Sequence, residues 1–229
     1  MALILPKSVF IHIPKTGGTW IRRAIEASMG IEKDSSEIAI SGIDHWGKTA
    51  HAKVRDIKKE LKDSLEKKYL FSFVRKPLDI LKSFYISKVY PELVDFDDYK
   101  ETNDKKISFK EFVYEKGVSF ATRLYINYLK SSVGVFPYVD YIGRTENIKE
   151  DLIEVLQMAG EKFDENVIRD MPPIRQGASL DAAEEVIECD DEVLTFIREG
   201  EKKAYDIFYS ENHYSELQQY SYDRLASMW

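Results

Sequence analysis

Three short apolar runs, each followed by a segment with helical periodicity, restrict the fold of this chain more than any other feature. The runs span residues 9–13, 69–75 and 138–144, and their composition is typical of buried strands. Strands that alternate with helices indicate an α/β fold with a central parallel β-sheet flanked by helices. The predicted helices span residues 19–29, 53–67, 77–89, 109–116, 120–131, 145–160 (with Thr145 as N-cap) and 190–209, and a helical tail covers 210–229.

Composition excludes several classes of protein. The 229 residues are 44% hydrophobic, which is typical of a globular chain able to bury a core. A net charge of −7 argues against a protein that coats nucleic acid. The single cysteine, Cys189, excludes an intramolecular disulfide and a cysteine-based zinc site, and the four histidines have no metal-ligand spacing. The length fits one large domain or two small ones, and we predict a single domain over residues 1–229.

The chain has no apolar run long enough to span a membrane, and Pro6 and Lys7 interrupt its apolar start. We therefore expect a cytoplasmic protein with no membrane or nucleic-acid partner. Residues 91–107 are rich in charge, and a loop of this length is often a lid or an acceptor-binding element. The oligomeric state is left open.

The segment "FIHIPKTGGTW", residues 10–20, joins the first run to its helix. A strand, a tight turn and a helix in succession place backbone N–H groups at the positive end of the helix, where anions bind. Gly17 and Gly18 allow close approach of the backbone and positive φ angles. Lys15 adds a positive charge, and Thr19 adds a hydroxyl group. An ordinary turn with a solvated lysine is the alternative interpretation.

The lysine precedes the glycines in this segment. A Walker loop has the order G-x-x-x-x-G-K-[ST], with a hydroxyl group for Mg²⁺, and this order does not occur here. The dinucleotide-binding pattern G-x-G-x-x-G does not occur either. A metal-bound triphosphate is therefore the weaker interpretation.

A second motif, "FSFVRKPLDILKSFY", contains a strand that ends in Arg75 and a helix that carries Ser83 eight residues later. With the first loop, it resembles the sulfotransferases whose donor is 3′-phosphoadenosine 5′-phosphosulfate (PAPS). Tyr141–Leu152 is similar to the third strand and following helix of that family, and "GKTAHAKVRDI", residues 47–57, is similar to a segment of its carbohydrate-modifying branch. The resemblance spans most of the chain and implies the P-loop-like sulfotransferase fold.

The resemblance also implies which residues bind PAPS. The first loop holds the 5′-phosphosulfate, and the second motif holds the 3′-phosphate, for which a guanidinium fork is well suited. Lys15 is implied as catalytic as well, since it stabilises the charge that grows on the leaving oxygen. The implied donor-binding residues are Lys15, Thr16, Gly17, Gly18, Thr19, Trp20, Arg75 and Ser83, and the family implies no metal.

The acceptor hydroxyl group needs a base, and the resemblance places His51 in that role. Histidine suits a base because its pKa lies near neutrality. His45 and a carboxylate, Glu26 or Asp44, remain alternative bases, and His12 is interpreted as packed or hydrogen-bonded in the sheet.

A late segment, "PPIRQGAS", resembles the loop with which sulfotransferases close over the 3′-phosphate and adenine. Arg175 and Gly177 are its implied donor-binding residues. An ordinary loop with a solvated arginine is the alternative interpretation of this segment.

These observations together predict transfer of a sulfuryl group from PAPS to an acceptor hydroxyl group on a carbohydrate or another small molecule, with 3′,5′-bisphosphoadenosine (PAP) as product. A P-loop nucleotide kinase or hydrolase is the first alternative. A non-catalytic protein that binds bisphosphate nucleotides is the second. The identity of the acceptor has no signature in the sequence.

Overall fold

The computed structural model describes residues 2–31, 53–61, 65, 67–90, 106–131, 136–173 and 186–210. Nearly all of the predicted loop at 91–107 and of the predicted tail at 210–229 lies outside these residues. In chain order, the elements are β1 (Ala2–Ile4), β2 (Ser8–Ile11), α1 (Gly18–Ser28), α2 (Val54–Leu61), β3 (Tyr69–Val74), α3 (Pro77–Val89), α4 (Phe109–Lys116), α5 (Phe120–Leu129), β4 (Tyr141–Arg144), a 3-10 turn (Thr145–Asn147), α6 (Ile148–Met158), α7 (Glu165–Asp170), α8 (Asp191–Gly200) and α9 (Lys202–Phe208).

The described residues form an α/β fold with a four-stranded mixed sheet flanked by helices, in the order β1-β2-β3-β4. β2, β3 and β4 are parallel, with Ser8 opposite Tyr69 and Val74 opposite Arg144. The three predicted strands are therefore confirmed. Because parallel strands end at the same edge of a sheet, the segments that follow β2, β3 and β4 emerge on one side, where ligands bind in open α/β sheets.

The sequence analysis predicted a parallel sheet, but the sheet also contains an antiparallel strand. β1 pairs antiparallel with β2, and Ala2 lies opposite Ile11. The two strands form a hairpin closed by a hydrogen bond from the Leu5 N–H to the Ser8 carbonyl, 2.8 Å long. β1 has only three residues, all buried, and a run this short has no periodicity from which a strand could be recognised.

The chain divides into two compact units. The first contains residues 1–75, 124–172 and 214–229, and the second contains residues 76–123 and 173–213. In the first unit, α1 packs against α7, and α6 packs against β4. The centre of the sheet is aromatic: the rings of Phe10 and Phe71 stack with centroids 5.3 Å apart, and Phe73 meets Phe10 edge-on.

The second unit is helical. α3, α4 and α8 enclose an apolar cluster centred on Tyr85, Phe109 and Phe112, all at most 1% exposed. The helix boundaries predicted at 77–89 and 109–116 are confirmed. Ser108 and Glu111 form a capping box at the start of α4, which explains why the second of these helices begins where it does.

The long helix predicted over 190–209 is two helices, α8 and α9, separated at Glu201. Glu201 is 2% exposed. Its carboxylate accepts hydrogen bonds from the N–H groups of Ala121 and Thr122 and from the Thr122 hydroxyl group, at 2.7 to 2.9 Å. These tertiary bonds anchor the Glu201 side chain at the junction of the two helices, and the periodicity of the sequence did not indicate this junction.

No helix in the described part of the chain is both long and apolar enough to cross a membrane.

Candidate functional site

The loop between β2 and α1 has the backbone of a tight anion-binding turn. Gly17 is the N-cap of α1 and has a left-handed conformation, with φ of 79°. Lys15 also has a positive φ, 67°, which costs a non-glycine residue roughly 1–2 kcal/mol. The Thr16 hydroxyl group is buried and donates to the Ile13 carbonyl at 2.8 Å, which holds the turn closed. A strained residue held in place by such bonds is characteristic of functional loops.

The two glycines are required for different reasons. A Cβ atom on Gly17 would meet the Ile148 side chain at 2.7 Å, in a conformation that already favours glycine. Gly18 does not have a positive φ, in contrast to our expectation. Instead, a Cβ atom on Gly18 would lie 1.9 Å from the His12 ring, so the imidazole occupies the space that a side chain would need.

The first turn of α1 begins with N–H groups that the N-cap residue, Gly17, does not cap with a side chain. The first intrahelical bond of the turn runs from the Ile21 N–H to the Gly17 carbonyl, so the N–H groups of residues 18–20 have no intrahelical acceptor. Gly17 supplies no side-chain cap, and the first turn contains no acidic residue. The positive end of the helix dipole therefore has no negative charge from its own helix, and this favours binding of an anion.

Lys15 and Arg75 lie together beside this turn. An Nη atom of Arg75 donates to the Lys15 carbonyl at 3.4 Å. Burial, and to a lesser extent the neighbouring Arg75 guanidinium, lowers the pKa of the Lys15 ammonium. Among the described residues, no carboxylate forms a salt bridge with either cation. The guanidinium is thus close enough to act on the ammonium, and two half-buried cations that repel each other are electrostatically unfavourable unless an anion joins them.

Tyr125 is hydrogen-bonded to the main chain of Arg75. This tyrosine lies on α5 and is fully buried. Its hydroxyl group donates a hydrogen bond to the Arg75 carbonyl and accepts one from the Arg75 N–H at 3.3 Å. The sequence analysis did not identify Tyr125, because no local signal connects a tyrosine in a helix to an arginine 50 residues earlier.

Thr145 joins the loop to the sheet. The sequence analysis interpreted it as the N-cap of a helix, but it begins a 3-10 turn, and α6 starts after Asn147. Its hydroxyl group lies 2.9 Å from the Val74 carbonyl and 3.1 Å from the Thr16 carbonyl. The position of Thr145 directly after β4, at the same edge as the loop, was the signal from which this role could have been expected.

The structure brings Lys15, the glycine turn and Arg75 into one site, but it assigns different positions to other predicted residues. The Trp20 indole is buried and its N–H donates to the Pro172 carbonyl at 2.9 Å, so only the backbone of Trp20 is left for a ligand. Thr19 is half-buried in the first turn of α1, and Ser83 is half-buried on α3 of the second unit. The roles of both residues stay predictions.

Five further candidates, Asp44, His45, His51, Arg175 and Gly177, lie outside the described residues. His12 is described. It follows β2 directly, and its ring stacks on Phe10 with centroids 5.9 Å apart while it packs against Gly18. The expectation of a packed His12 is therefore confirmed.

Within the described ranges, no group of three or more histidine, cysteine, aspartate or glutamate side chains is arranged to hold a metal ion. Comparison of the chain with protein-family models, with curated proteins and with solved structures gave no match. The chemistry of the site is therefore argued from its own residues.

Proposed function

We propose that this chain is a sulfotransferase that transfers a sulfuryl group from PAPS to an acceptor hydroxyl group on a carbohydrate. The observation that carries the proposal is the hydrogen bond from the Arg75 guanidinium to the Lys15 carbonyl, beside a first turn of α1 that Gly17 leaves without a side-chain cap. A ligand with two anionic ends supplies the counter-charge that this pair requires. The similarity of the segment at 47–57 to the carbohydrate-modifying branch supports the choice of acceptor.

The residues present suit such a donor. Backbone N–H groups at a helix start bind a phosphate ester without a metal, and a guanidinium binds a second phosphate through two parallel hydrogen bonds. Lys15 lies in the loop before the start of α1, and its carbonyl accepts a hydrogen bond from the Arg75 guanidinium. PAPS supplies a sulfuryl group on a good leaving group, the bisphosphate.

In the proposed reaction, the protein contributes position and charge. The N–H groups of residues 18–20 and the Arg75 guanidinium hold and orient the two phosphate ends, which converts the transfer into a step between fixed reactants. The Lys15 ammonium stabilises the oxygen that keeps the electron pair of the broken sulfur–oxygen bond. A base removes the proton of the acceptor hydroxyl group as its oxygen bonds to sulfur. We propose His51 as this base.

Ligand binding tests the donor assignment first. The free energy of unfolding should rise in the presence of PAP, by about 2.7 kcal/mol at a concentration of one hundred times its Kd. 5′-AMP, which lacks the 3′-phosphate, should stabilise the protein much less at the same concentration. Stabilisation by ATP with Mg²⁺ but not by PAP would support the kinase alternative and refute the sulfotransferase proposal.

Turnover then separates an enzyme from a protein that only binds the nucleotide. The wild-type protein should release PAP from PAPS in the presence of a hydroxyl acceptor, measured with a sulfate-labelled donor and a panel of sugars. His51→Ala should bind PAP as the wild type does and lose most of the transfer rate. An unchanged rate would exclude His51 as the base and leave His45 or a carboxylate.

A further inference from the structure

We infer that Tyr125 is the residue that positions Arg75 for the donor's 3′-phosphate. The inference rests on the proposed function, since it assigns to Arg75 the task of binding that phosphate. Tyr125 acts through Arg75 rather than by contact with the ligand, and its contribution is therefore to affinity and selectivity.

The argument begins with the main chain of Arg75. β3 ends at Val74, which is the last residue of the strand paired with β4. Arg75 is therefore the first residue beyond the ladder, and its N–H and carbonyl groups lack the partners that the ladder gives to the residues before it. The Tyr125 hydroxyl group serves both of them, as an acceptor from the N–H and a donor to the carbonyl.

These two bonds fix the direction in which Arg75 leaves the sheet. A hydroxyl group bound to both main-chain groups of one residue restricts the φ and ψ angles of that residue, and the Cα–Cβ direction with them. Tyr125 is itself 0% exposed, so its ring cannot move without disturbing the packing around it. The rigid point from which the guanidinium extends is therefore set by α5.

From this fixed point, the Arg75 guanidinium extends to the loop between β2 and α1. It reaches the Lys15 carbonyl at 3.4 Å, and it is close enough to contribute to the lowered pKa of Lys15. A relay thus runs from the buried Tyr125 hydroxyl group through Arg75 to the backbone of the strained residue in the turn. If Arg75 were free to swing away, the fork that binds a phosphate would lose its orientation, although the charge would remain.

The test uses Tyr125→Phe, which removes the hydroxyl group and keeps the ring. The dissociation constants of PAP and of 5′-AMP are measured by calorimetry for the wild type and the variant. We expect PAP to bind about tenfold more weakly to the variant, as for the loss of one positioning interaction, and 5′-AMP to bind unchanged. Equal weakening of both ligands would show a general structural role and overturn the inference.

A double-mutant cycle with Arg75→Gln makes the test specific. If Tyr125 acts through Arg75, adding Tyr125→Phe to Arg75→Gln should change the affinity for PAP no further. Additive losses would overturn the inference. Tyr141→Phe is the matched control, because Tyr141 is also buried and its hydroxyl group donates to Glu154 rather than to a site residue. It should retain the wild-type preference for PAP.

The same measurements separate the inference from the proposed function. A wild-type protein that does not prefer PAP to 5′-AMP, or an Arg75→Gln variant that keeps the preference, overturns both. A preference that depends on Arg75 but survives Tyr125→Phe overturns only the inference. If Tyr125→Phe folds poorly, Tyr125 is replaced by 4-aminophenylalanine, which keeps a hydrogen-bonding group in place. This variant should retain the preference for PAP over 5′-AMP. Loss of the preference in this variant would count against the inference.

Discussion

The starts of α1 and α5 differ in whether the chain supplies a negative charge for the N–H groups of the first turn. At α5, the buried carboxylate of Glu201 accepts hydrogen bonds from the N–H groups of Ala121 and Thr122. At α1, the N-cap is a glycine without a side chain, and the charged groups beside the turn, Lys15 and Arg75, are cations. The start of α5 therefore receives its negative charge from the chain itself, whereas the start of α1 is suited to an anion from outside.

α1 is the exception among its neighbours as well. Each of the other described helices with at least eight residues has a carboxylate at its start, where it favours the helix dipole. For α5 this carboxylate is Glu201. For the rest it belongs to the first turn: Asp56 of α2, Asp79 of α3, Glu111 of α4, Glu150 and Asp151 of α6, and Asp191 and Glu192 of α8.

The largest expected effect is on turnover, through Lys15→Met. Under the proposed function, this change removes the charge that stabilises the leaving oxygen and should lower kcat by roughly 10²–10³-fold, about 3–4 kcal/mol. The rate of sulfuryl transfer measures it. Lys110→Met is the control, because Lys110 pairs with Asp190 and Glu192 on the surface and should leave the rate unchanged. A similar rate in both variants would remove the catalytic role of Lys15.

The next largest effect concerns the stability of the start of α5, where Glu201 supplies the negative charge. Glu201→Gln should lower the free energy of unfolding by about 2–3 kcal/mol, because the buried N–H donors of α5 lose an ionised acceptor. Urea denaturation measures the loss. Glu192→Gln, which removes an exposed partner of Lys110, should cost at most about 1 kcal/mol. Equal losses in the two variants would contradict a special role for the buried carboxylate.

The glycine turn gives a somewhat smaller effect. Gly18→Ala should destabilise the protein by about 1–3 kcal/mol, because the new methyl group meets the His12 ring. Adding His12→Ala should recover most of this loss, since it vacates the same space. Thermal unfolding of both single variants and the double variant measures the coupling. Simple additivity of the two changes would show that His12 is not what requires a glycine at position 18.

The smallest effect is a dependence on pH. The pKa of Lys15 is lowered in the folded protein, so between that value and the usual lysine pKa the unfolded chain binds more protons than the folded one. Stability should therefore rise with pH in this alkaline window, and Lys15→Met should flatten that rise. Urea denaturation over a series of alkaline buffers measures the slope. A slope unchanged by Lys15→Met would contradict the desolvated ammonium.

A bound anion should reverse the pKa shift, because its charge favours the ammonium. PAP binding near the lowered pKa should then be accompanied by uptake of a proton. Calorimetry in two buffers with different ionisation enthalpies detects it. Binding with no proton uptake in that pH range would indicate that the anion does not lie near Lys15.

Local patterns predicted much of the sheet and several helices. The runs at 69–75 and 138–144 contain strands, and the helices at 77–89 and 109–116 were predicted with their boundaries, the first of them from Pro77 as its first residue. The capping box of Ser108 and Glu111 at the start of the second helix was recognised only in the structure. β1 was missed because three residues carry no periodicity. The break at Glu201 was missed as well, and the hydrogen bonds that anchor its carboxylate reach residues about eighty positions away, where local patterns give no signal.

The sequence by itself determined the order of the three parallel strands and of most helices, and the unusual loop in which Lys15 precedes two glycines. These features depend on residues within one or two turns of each other, so they can be read locally. Only the tertiary structure decided that Arg75 reaches the Lys15 carbonyl, that Tyr125 holds Arg75, and that Thr145 joins the loop to the end of β3. These contacts join residues 50 to 129 positions apart, and hydrogen bonds at such separations exist only once the sheet has brought the strand ends together.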